Sequence, residues 1–187
     1  GYSGFADEET YLRWTEFATF SPIMRFHGVT PREPWAYSRY AVSVYKFYAW
    51  LRENLLKYSV HTAEEAHKTG IPMMRPLPMV FPEDKEAVYW EDEYFYGSDL
   101  LVAPVHQEGE KRRIYFPSGS WINLLDFRKM VGGNRIFQVD VPIDKIPVYI
   151  REGACILSVM NGELQLGQSM TYEKKNTVLM SRALNET

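Results

Sequence analysis

The stretch Ser21-Pro22-Ile23-Met24-Arg25-Phe26-His27-Gly28 stands between two helical segments and decides how the N-terminal half of the chain is interpreted. Ser21-Pro22 is predicted to end the helix before it, and the remaining run, residues 23–28, is too short for a helix and stops at a glycine, so it predicts a buried strand. Side chains alternate across a strand, and Arg25 and His27 therefore share one face near its C-terminal end. Two polar side chains there predict a site at the mouth of an α/β architecture. The alternative is that both are satisfied by buried partners.

Helical segments are predicted on both sides of this strand. Residues 7–19 begin with Asp7 as an N-cap and carry acidic residues in the first turn. From about Ser38 to Thr69 the pattern predicts one long helix or a broken pair, which ends at Gly70. The apolar stripe of this second segment steps by three and four residues and consists of Ala41, Val44, Tyr48, Leu51, Leu55 and Tyr58.

The segment from Ala41 to Trp50 is apolar nearly all round, which requires neighbours on more than one side. One strand followed by one helix cannot close a sheet or a barrel. Residues 1–72 are therefore predicted to be the end of a larger α/β domain. An apolar helix without its neighbours predicts self-association through the exposed surface.

After Gly70 the pattern changes to short apolar runs separated by glycine and proline. This alternation predicts an antiparallel β-sandwich over residues 73–187. The residues from 161 onward are poorly patterned, and no structure is assigned to the tail 176–187. The predicted strands are 73–81, 99–105, 113–116, 136–141 and 148–150.

Composition excludes several classes of function. The 21 basic and 24 acidic residues leave a net charge of −3, so there is no broad positive field for nucleic acid. No stretch is long and apolar enough to cross a membrane, and no secretory signal is visible. The single cysteine, Cys155, has apolar neighbours that predict a small core residue. Together these features favour the cytoplasm.

Metal and cofactor chemistry also lack support. The four histidines are scattered and no cysteine pair exists, which argues against a zinc site. No glycine-rich phosphate loop or Gly-x-Ser-x-Gly elbow is present. The adjacent acids Glu83-Asp84 and Glu91-Asp92-Glu93 are predicted to be solvated surface. We therefore expect no cofactor and no metal.

Seven stretches of the chain carry a resemblance to a known family. They are Leu12-Arg13-Trp14, residues 21–28, Arg32-Glu33-Pro34-Trp35, Met74-Arg75-Pro76-Leu77, Phe81-Pro82, residues 97–105 and residues 115–121. These stretches recur in the same order in family 31 of the glycoside hydrolases, which the chain closely resembles over residues 1 to about 155. That family includes α-glucosidases, α-xylosidases and sulfoquinovosidases.

The resemblance implies a fold. The family combines an eight-stranded β/α (TIM) barrel with β-sandwich domains that follow it. Residues 1–72 would then be the C-terminal portion of the barrel, and residues 73–187 the antiparallel β-sandwich. The family's Leu-Leu-Pro-Tyr in the last barrel helix is Leu55-Leu56-Lys57-Tyr58 here, which is predicted to remove a helix kink or boundary.

The resemblance also implies substrate-binding residues. His27 matches a histidine that contacts sugar hydroxyls, and Tyr2 falls where the family has an aromatic side chain lining the same pocket. Arg25 matches an arginine beside the catalytic nucleophile. Gly1 would be the last glycine of the family's Asp-Ile-Gly-Gly segment. Both catalytic aspartates belong to earlier barrel strands, so no catalytic residue is expected in this chain.

The implied activity is exo-hydrolysis of terminal α-linked glucose or xylose by double displacement with retained configuration, on an oligosaccharide or glycoside substrate. The Arg-x-His-Gly form at 25–28 and the sequence Trp35-Ala36-Tyr37 favour xylose slightly. By itself the chain is expected to be inactive. The alternative is a non-catalytic carbohydrate-binding or interaction module, with Trp90 and Trp121 as surface candidates.

Overall fold

The computed structural model describes residues 2–160, 165–168 and 175–180. Its N-terminal half contains α1 (Glu8–Thr19), α2 (Arg39–Asn54) and α3 (Leu56–Thr69), with a short 3-10 helix at Pro34–Ala36. The predicted caps are confirmed, because Asp7 accepts from the Thr10 amide at 2.7 Å and Ser38 from the Ala41 amide at 3.0 Å. Gly70 ends α3 in the left-handed conformation at φ 77°.

The long second segment is a broken pair, and the break falls at Leu55 between α2 and α3. The prediction that Lys57 removes a helix boundary is wrong. Asn54 is fully buried at the break and donates to the carbonyl of Val159 at 2.7 Å, while its own side-chain oxygen accepts from the Gly167 amide at 2.9 Å. Tertiary hydrogen bonds therefore hold the boundary where no proline is present.

The C-terminal half is built on a six-stranded antiparallel sheet in the order β1-β2-β3-β8-β5-β6. Two antiparallel pairs, β4 with β7 and β9 with β10, complete the described strands. The strands are β1 Met74–Pro76, β2 Tyr94–Tyr96, β3 Leu100–Val102, β4 Lys111–Phe116, β5 Ser120–Asn123, β6 Lys129–Val131, β7 Arg135–Asp140, β8 Val148–Arg151, β9 Cys155–Met160 and β10 Lys175–Met180.

The central strands β2, β3 and β8 are buried on both faces. One face belongs to the core formed with the three helices and consists of Tyr94, Tyr96, Leu100, Val102, Val148 and Ile150. The other face, with Phe95, Leu101 and Tyr149, packs against β4 residues Ile114 and Phe116 and against Trp121. The apolar stripe predicted for α2 and α3, from Ala41 to Tyr58, lies in the first of these cores. The sheet is thus covered by helices on one side and by the β4–β7 pair on the other.

Several predicted strand bounds are wrong. The run 73–81 forms only the three-residue strand β1 and then turns into helix α4 (Leu77–Val80). The strands β2, β5, β6 and β9 were not predicted, because most are too short to show an alternating pattern. β10 occupies part of the tail to which no structure was assigned, while residues 181–187 lie outside the described residues.

The stretch 22–28 is not a strand. It joins none of the sheets formed by the described residues, and Ile23 is 73% exposed. A strand exists only where a neighbour completes its hydrogen-bond ladder, and no described strand lies beside this segment. The prediction of a buried strand is therefore wrong for this structure.

Cys155 is exposed, so its prediction as a core residue is also wrong. It opens strand β9, on which Ile156 and Ser158 are almost completely buried. A strand gives its buried positions to alternate residues, which leaves Cys155 on the solvent side. The apolar neighbours in sequence did not show which face the thiol would take.

Arg13 fastens α1 to the β-rich half. Its guanidinium donates to the carbonyl oxygens of Pro142 and Lys145 at 3.0 and 2.9 Å, and to those of Gly109 and Val141 at 3.2 and 3.0 Å. The side chain of Glu16, one turn along α1, lies 3.4 Å away. The planar guanidinium has five N–H donors in a fixed geometry, and four backbone carbonyls accept from it here, one more than the three donors of a lysine could each supply singly.

Two buried carboxyl groups have raised pKa values. Glu16 is 1% exposed, and burial raises its pKa to about 8 against the opposing charge of Arg13. Glu93 is 2% exposed, and burial raises its pKa to about 8. Two contacts lower that pKa in part: the hydrogen bond that Glu93 accepts from the Tyr115 amide at 3.0 Å, and the positive charge of Arg112. The prediction that the acids 91–93 are solvated is therefore wrong for Glu93. Both groups favour the protonated form when the chain is folded.

These two groups make the stability depend on pH. The pKa of each group is about 8 in the folded chain and lies near the usual 4.5 in the unfolded chain, so the folded chain binds more protons than the unfolded one between these pH values. The free energy of unfolding therefore falls as the pH rises from 4.5 through about 8. We expect urea midpoints to fall between about pH 5 and pH 9, and to fall less in Glu16→Gln and in Glu93→Gln. Exposed Glu83→Gln is the matched control. Equal slopes in all four proteins would contradict the assignment.

Candidate sugar-binding site

The three substrate-binding residues proposed from sequence come together in the structure. Tyr2, Arg25 and His27 all line one cavity of about 280 Å³, formed by the N-terminal segment, residues 24–27 and one face of α1. The cavity exists although residues 22–28 are not a strand. Both side chains line the cavity without the hydrogen bonds of a sheet.

Arg25 and His27 are directly hydrogen-bonded, with 2.7 Å between Arg25 Nη2 and His27 Nδ1. A guanidinium has only donors, so Nδ1 of the imidazole is the acceptor. The proton of the neutral ring then lies on Nε2, which is left as a donor. The Tyr2 ring lies 5.1 Å from the imidazole, centroid to centroid, and is tilted by 49°. This arrangement offers one N–H donor beside an aromatic face.

Arg32 holds the two chain segments of the site together. Its Nη2 donates to the carbonyl oxygens of Tyr2 at 3.2 Å and Gly4 at 2.8 Å, and the Val29 amide donates to the Tyr2 carbonyl at 3.0 Å. Gly28 has no room for a side chain here, because a Cβ would collide with the Arg32 guanidinium and lie 2.7 Å from the Tyr2 carbonyl oxygen. The motif 32–35 was recognised in the sequence, but no role could be assigned to Arg32.

Arg52 of α2 positions the start of the same segment. Its Nη1 donates to the carbonyls of Ala18, Thr19 and Ser21 at 3.1, 2.9 and 2.6 Å, and its Nη2 donates to that of Pro22 at 2.8 Å. The guanidinium thus supplies donors to carbonyls at the end of α1, where the helix itself has no amide four residues on. The Ala18 carbonyl also accepts from the Ser21 amide at 3.2 Å. Nothing in the sequence pattern indicated this contact, since the two regions are some thirty residues apart.

Aromatic side chains form the wall opposite the polar pair. Phe26 packs against Tyr45 at 4.9 Å and against Tyr11 at 6.4 Å between ring centroids. Trp14, at the edge of the cavity, is 60% exposed. Aromatic faces and a few aligned donors are the usual composition of a pocket for a small polar ligand.

None of the described residues that line the cavity carries a carboxylate, whereas two arginines, Arg25 and Arg32, line it. Glycoside hydrolysis needs two carboxyl groups on either side of the scissile bond. The described lining therefore has no carboxyl group that could attack or protonate a glycosidic bond.

The described residues hold no cluster of three or more His, Cys, Asp or Glu side chains that could bind a metal ion. Within the same residues, none of the helices is long and apolar enough to span a membrane. Of the two surface tryptophans expected from the sequence, Trp121 is fully buried, so that expectation is wrong, while Trp90 is partly exposed.

The described chain divides into a helical half, which carries the cavity, and an antiparallel β-domain that follows it. Each half matches the model of a known domain. Residues 1–62 match the model for the glycosyl hydrolases family 31 TIM-barrel domain, and residues 70–156 match that for the glycosyl hydrolase family 31 C-terminal domain. The chain belongs to glycosyl hydrolase family 31.

Relatives by sequence include an isomaltosyltransferase from Sporosarcina globispora, 34% identical over 89% of this chain and 17% of its own length. An alpha-xylosidase from Saccharolobus solfataricus is 34% identical over 79% of this chain and 20% of its own length. The chain therefore spans about a fifth of the length of these relatives.

Solved structures that are similar to this chain also include a family 31 enzyme. The cycloalternan-forming enzyme from Listeria monocytogenes, in complex with a pentasaccharide substrate, superposes with a TM-score of 0.91 and 31% identity over 97% of this chain and 19% of its own. A Flavobacterium johnsoniae dextranase of family 31 superposes with a TM-score of 0.83 and 31% identity over 93% of this chain and 21% of its own. The division at residues 72 and 73 stays a proposal, since the two family matches leave residues 63–69 unassigned.

We expect Gly28→Ala to destabilise the chain by about 1–3 kcal/mol, because the added methyl group displaces Arg32 from the Tyr2 carbonyl. Gly4→Ala is the matched control, since a Cβ there meets nothing within 4 Å. Urea unfolding of both variants checks this. If the two variants lost equal stability, the close approach at Gly28 would not matter.

Proposed function

We propose that this chain is the C-terminal part of a retaining exo-α-glycosidase, whose two catalytic aspartates come from barrel strands outside these 187 residues. The observation that carries the proposal is the cluster of Tyr2, Arg25 and His27 in a cavity whose described lining includes no carboxylate, in a chain of family 31. The substrate is an oligosaccharide or glycoside with a terminal α-linked glucose or xylose. This is supported by relatives named as glucosidases, xylosidases and dextranases.

In this proposal each residue of the cluster has a distinct role. His27 donates from Nε2 to a hydroxyl of the terminal sugar, and its orientation is held by Arg25 at Nδ1. The Tyr2 ring covers one face of the same sugar. The remaining donors of Arg25 face the nucleophile and keep that carboxylate ionised.

The chemical steps belong to the two aspartates. One attacks the anomeric carbon as the other protonates the leaving glycosidic oxygen, which gives a covalent glycosyl ester. The second aspartate then removes a proton from water, which attacks the same carbon and releases the sugar with retained configuration. The contacts from this chain stabilise the transition state only where they tighten as the ring flattens.

The preference for xylose over glucose has no specific support. Trp35 is 73% exposed and Tyr37 stacks on Tyr11 at 4.1 Å, and neither residue lines the cavity. The relatives include both an alpha-glucosidase and an alpha-xylosidase at 31% and 34% identity. We therefore propose the coarser substrate class.

Two further expectations stay predictions. Self-association is favoured by exposed apolar side chains around the cavity, among them Trp14 and Ile23, which are 60% and 73% exposed. The apolar face of α2 is partly covered, because Phe26 packs on Tyr45 and Lys145 lies over the Phe47 ring. The cytoplasmic location also remains a prediction from composition.

The proposal is tested by comparing this chain with the protein encoded by the complete reading frame that contains it. We expect the chain alone not to hydrolyse p-nitrophenyl α-glucoside or α-xyloside, because none of the described residues that line the cavity carries a carboxyl group. The complete protein should hydrolyse at least one of them, and NMR of the first product should show the α-anomer. Hydrolysis by the chain alone, or a β-anomer from the complete protein, would contradict the proposal.

His27 provides a second test in the complete protein. We expect His27→Ala to lower kcat/KM by about a hundredfold, since a hydrogen bond to the reacting sugar is lost. The matched control is His61→Ala, because His61 is exposed on α3 and does not line the cavity. Equal activity of both variants would remove His27 from the site.

A further inference from the structure

A second concave surface lies on the β-rich half, apart from the cavity of Arg25 and His27. It is an open depression with a volume of about 490 Å³, and it shares no lining residue with that cavity. This volume falls within the range of about 300–1,000 Å³ that small-ligand sites occupy. Its lining residues are Glu86, Tyr89, Trp90, Glu91, Asp92, Arg113 and Ile136.

The aromatic part of this surface combines a fixed ring with an open one. Trp90 lies nearly parallel to Tyr115, with 5.6 Å between centroids and 15° between planes, and its indole N–H donates to Glu86 at 3.2 Å. Tyr115 is in turn fixed by donating its hydroxyl proton to Asp84 at 2.6 Å. Tyr89, which ends the 3-10 helix Ala87–Tyr89, is 77% exposed.

Tyr89 is mostly exposed, so its ring adds little to the packing of the core, while the neighbouring Trp90 indole is held in a fixed orientation. The fixed ring needs no reordering to receive a ligand, which lowers the entropic cost of binding. Sugar rings present a face of C–H groups, whose partial positive charge complements the negative face of an aromatic ring.

The polar rim selects the kind of ligand. The guanidinium of Arg113 lies 5.8 Å from the Trp90 ring centroid and is an outward donor, while Glu86 and Glu91 are exposed acceptors. The carboxylate of Asp92 is already paired with Arg112 at 2.8 Å. Carboxylates outnumber the single cation of this rim, so an anionic ligand is repelled, whereas neutral hydroxyl groups find both donors and acceptors.

We propose that this surface, which we call the Tyr89 site, binds a neutral oligosaccharide, with one sugar ring against Tyr89 and Trp90 and its hydroxyls on Arg113 and Glu91. It holds substrate away from the reacting centre and performs no chemistry. The choice of an α-linked glucan as probe rests on the proposed function, whereas the site itself rests on the geometry of the β-rich half.

The test is a titration of the 187-residue chain with isomaltotriose and, separately, with maltotriose, followed by 1H–15N NMR shifts. We expect binding with a Kd of about 1 mM, with shifts centred on Tyr89, Trp90 and Arg113. Tyr89→Ala should weaken binding at least about tenfold without changing the urea midpoint, because the side chain is exposed. Tyr40→Ala, an exposed tyrosine outside the surface, is the matched control.

His27→Ala separates this site from the cavity of the proposed function. Binding that survives His27→Ala and is lost in Tyr89→Ala supports the Tyr89 site, whatever the activity of the complete protein. Binding that is lost in His27→Ala and unchanged in Tyr89→Ala overturns it, as does the absence of any binding. Trigalacturonate should not bind, and equal affinity for this anionic sugar would also overturn the proposal.

Discussion

The two-sided burial of strands β2, β3 and β8 is the constraint on which the rest of the structure depends. Each of these strands sends alternate side chains into a helical core and into a β-core, so neither half of the chain is complete without the other. A sheet that is apolar on both faces must be covered on both, and here helices cover one face and the β4–β7 pair covers the other. Arg13 joins the same layers with four hydrogen bonds to backbone carbonyls. The helical segment is therefore held in place by the β-domain.

The positions of Tyr2, Arg25 and His27, the proposed sugar-binding cluster, depend on hydrogen bonds from arginine side chains to the backbone. Residues 22–28 belong to no sheet of the described chain, yet Arg25 and His27 lie 2.7 Å apart at the cavity. Arg52 holds the beginning of this segment through carbonyls, and Arg32 ties its end to Tyr2 and Gly4. Hydrogen bonds from these two guanidinium groups to backbone carbonyls hold the segment in place of hydrogen bonds to a neighbouring strand. The cluster keeps its geometry because each of these arginines binds several carbonyls at once.

The chemistry available to the cluster is set by what lines it. Arginine and histidine donors beside aromatic rings suit sugar hydroxyls, while the described lining has no carboxylate for bond cleavage. The chain accounts for about a fifth of the length of its family 31 relatives. Recognition of the sugar and cleavage of the glycosidic bond are thus carried by different parts of the polypeptide in our proposal.

The sequence by itself determined the local features. Asp7, Ser38 and Gly70 mark helix ends through interactions within a few residues, and the apolar stripe of α2 has a helical period. The ordered motifs were enough to recognise the family, and with it Tyr2, Arg25 and His27 as one cluster.

Only the tertiary structure decided what depends on distant partners. The break at Leu55 is held by Asn54 through Val159 and Gly167, and the exposed position of Cys155 follows from the pairing of β9. Burial of Trp121 and Glu93 likewise depends on which strands cover them. Residues 22–28 have the composition of a strand, but no strand among the described residues pairs with them. Local patterns record the preferences of a segment, but hydrogen-bond partners and burial are supplied by residues far away in sequence.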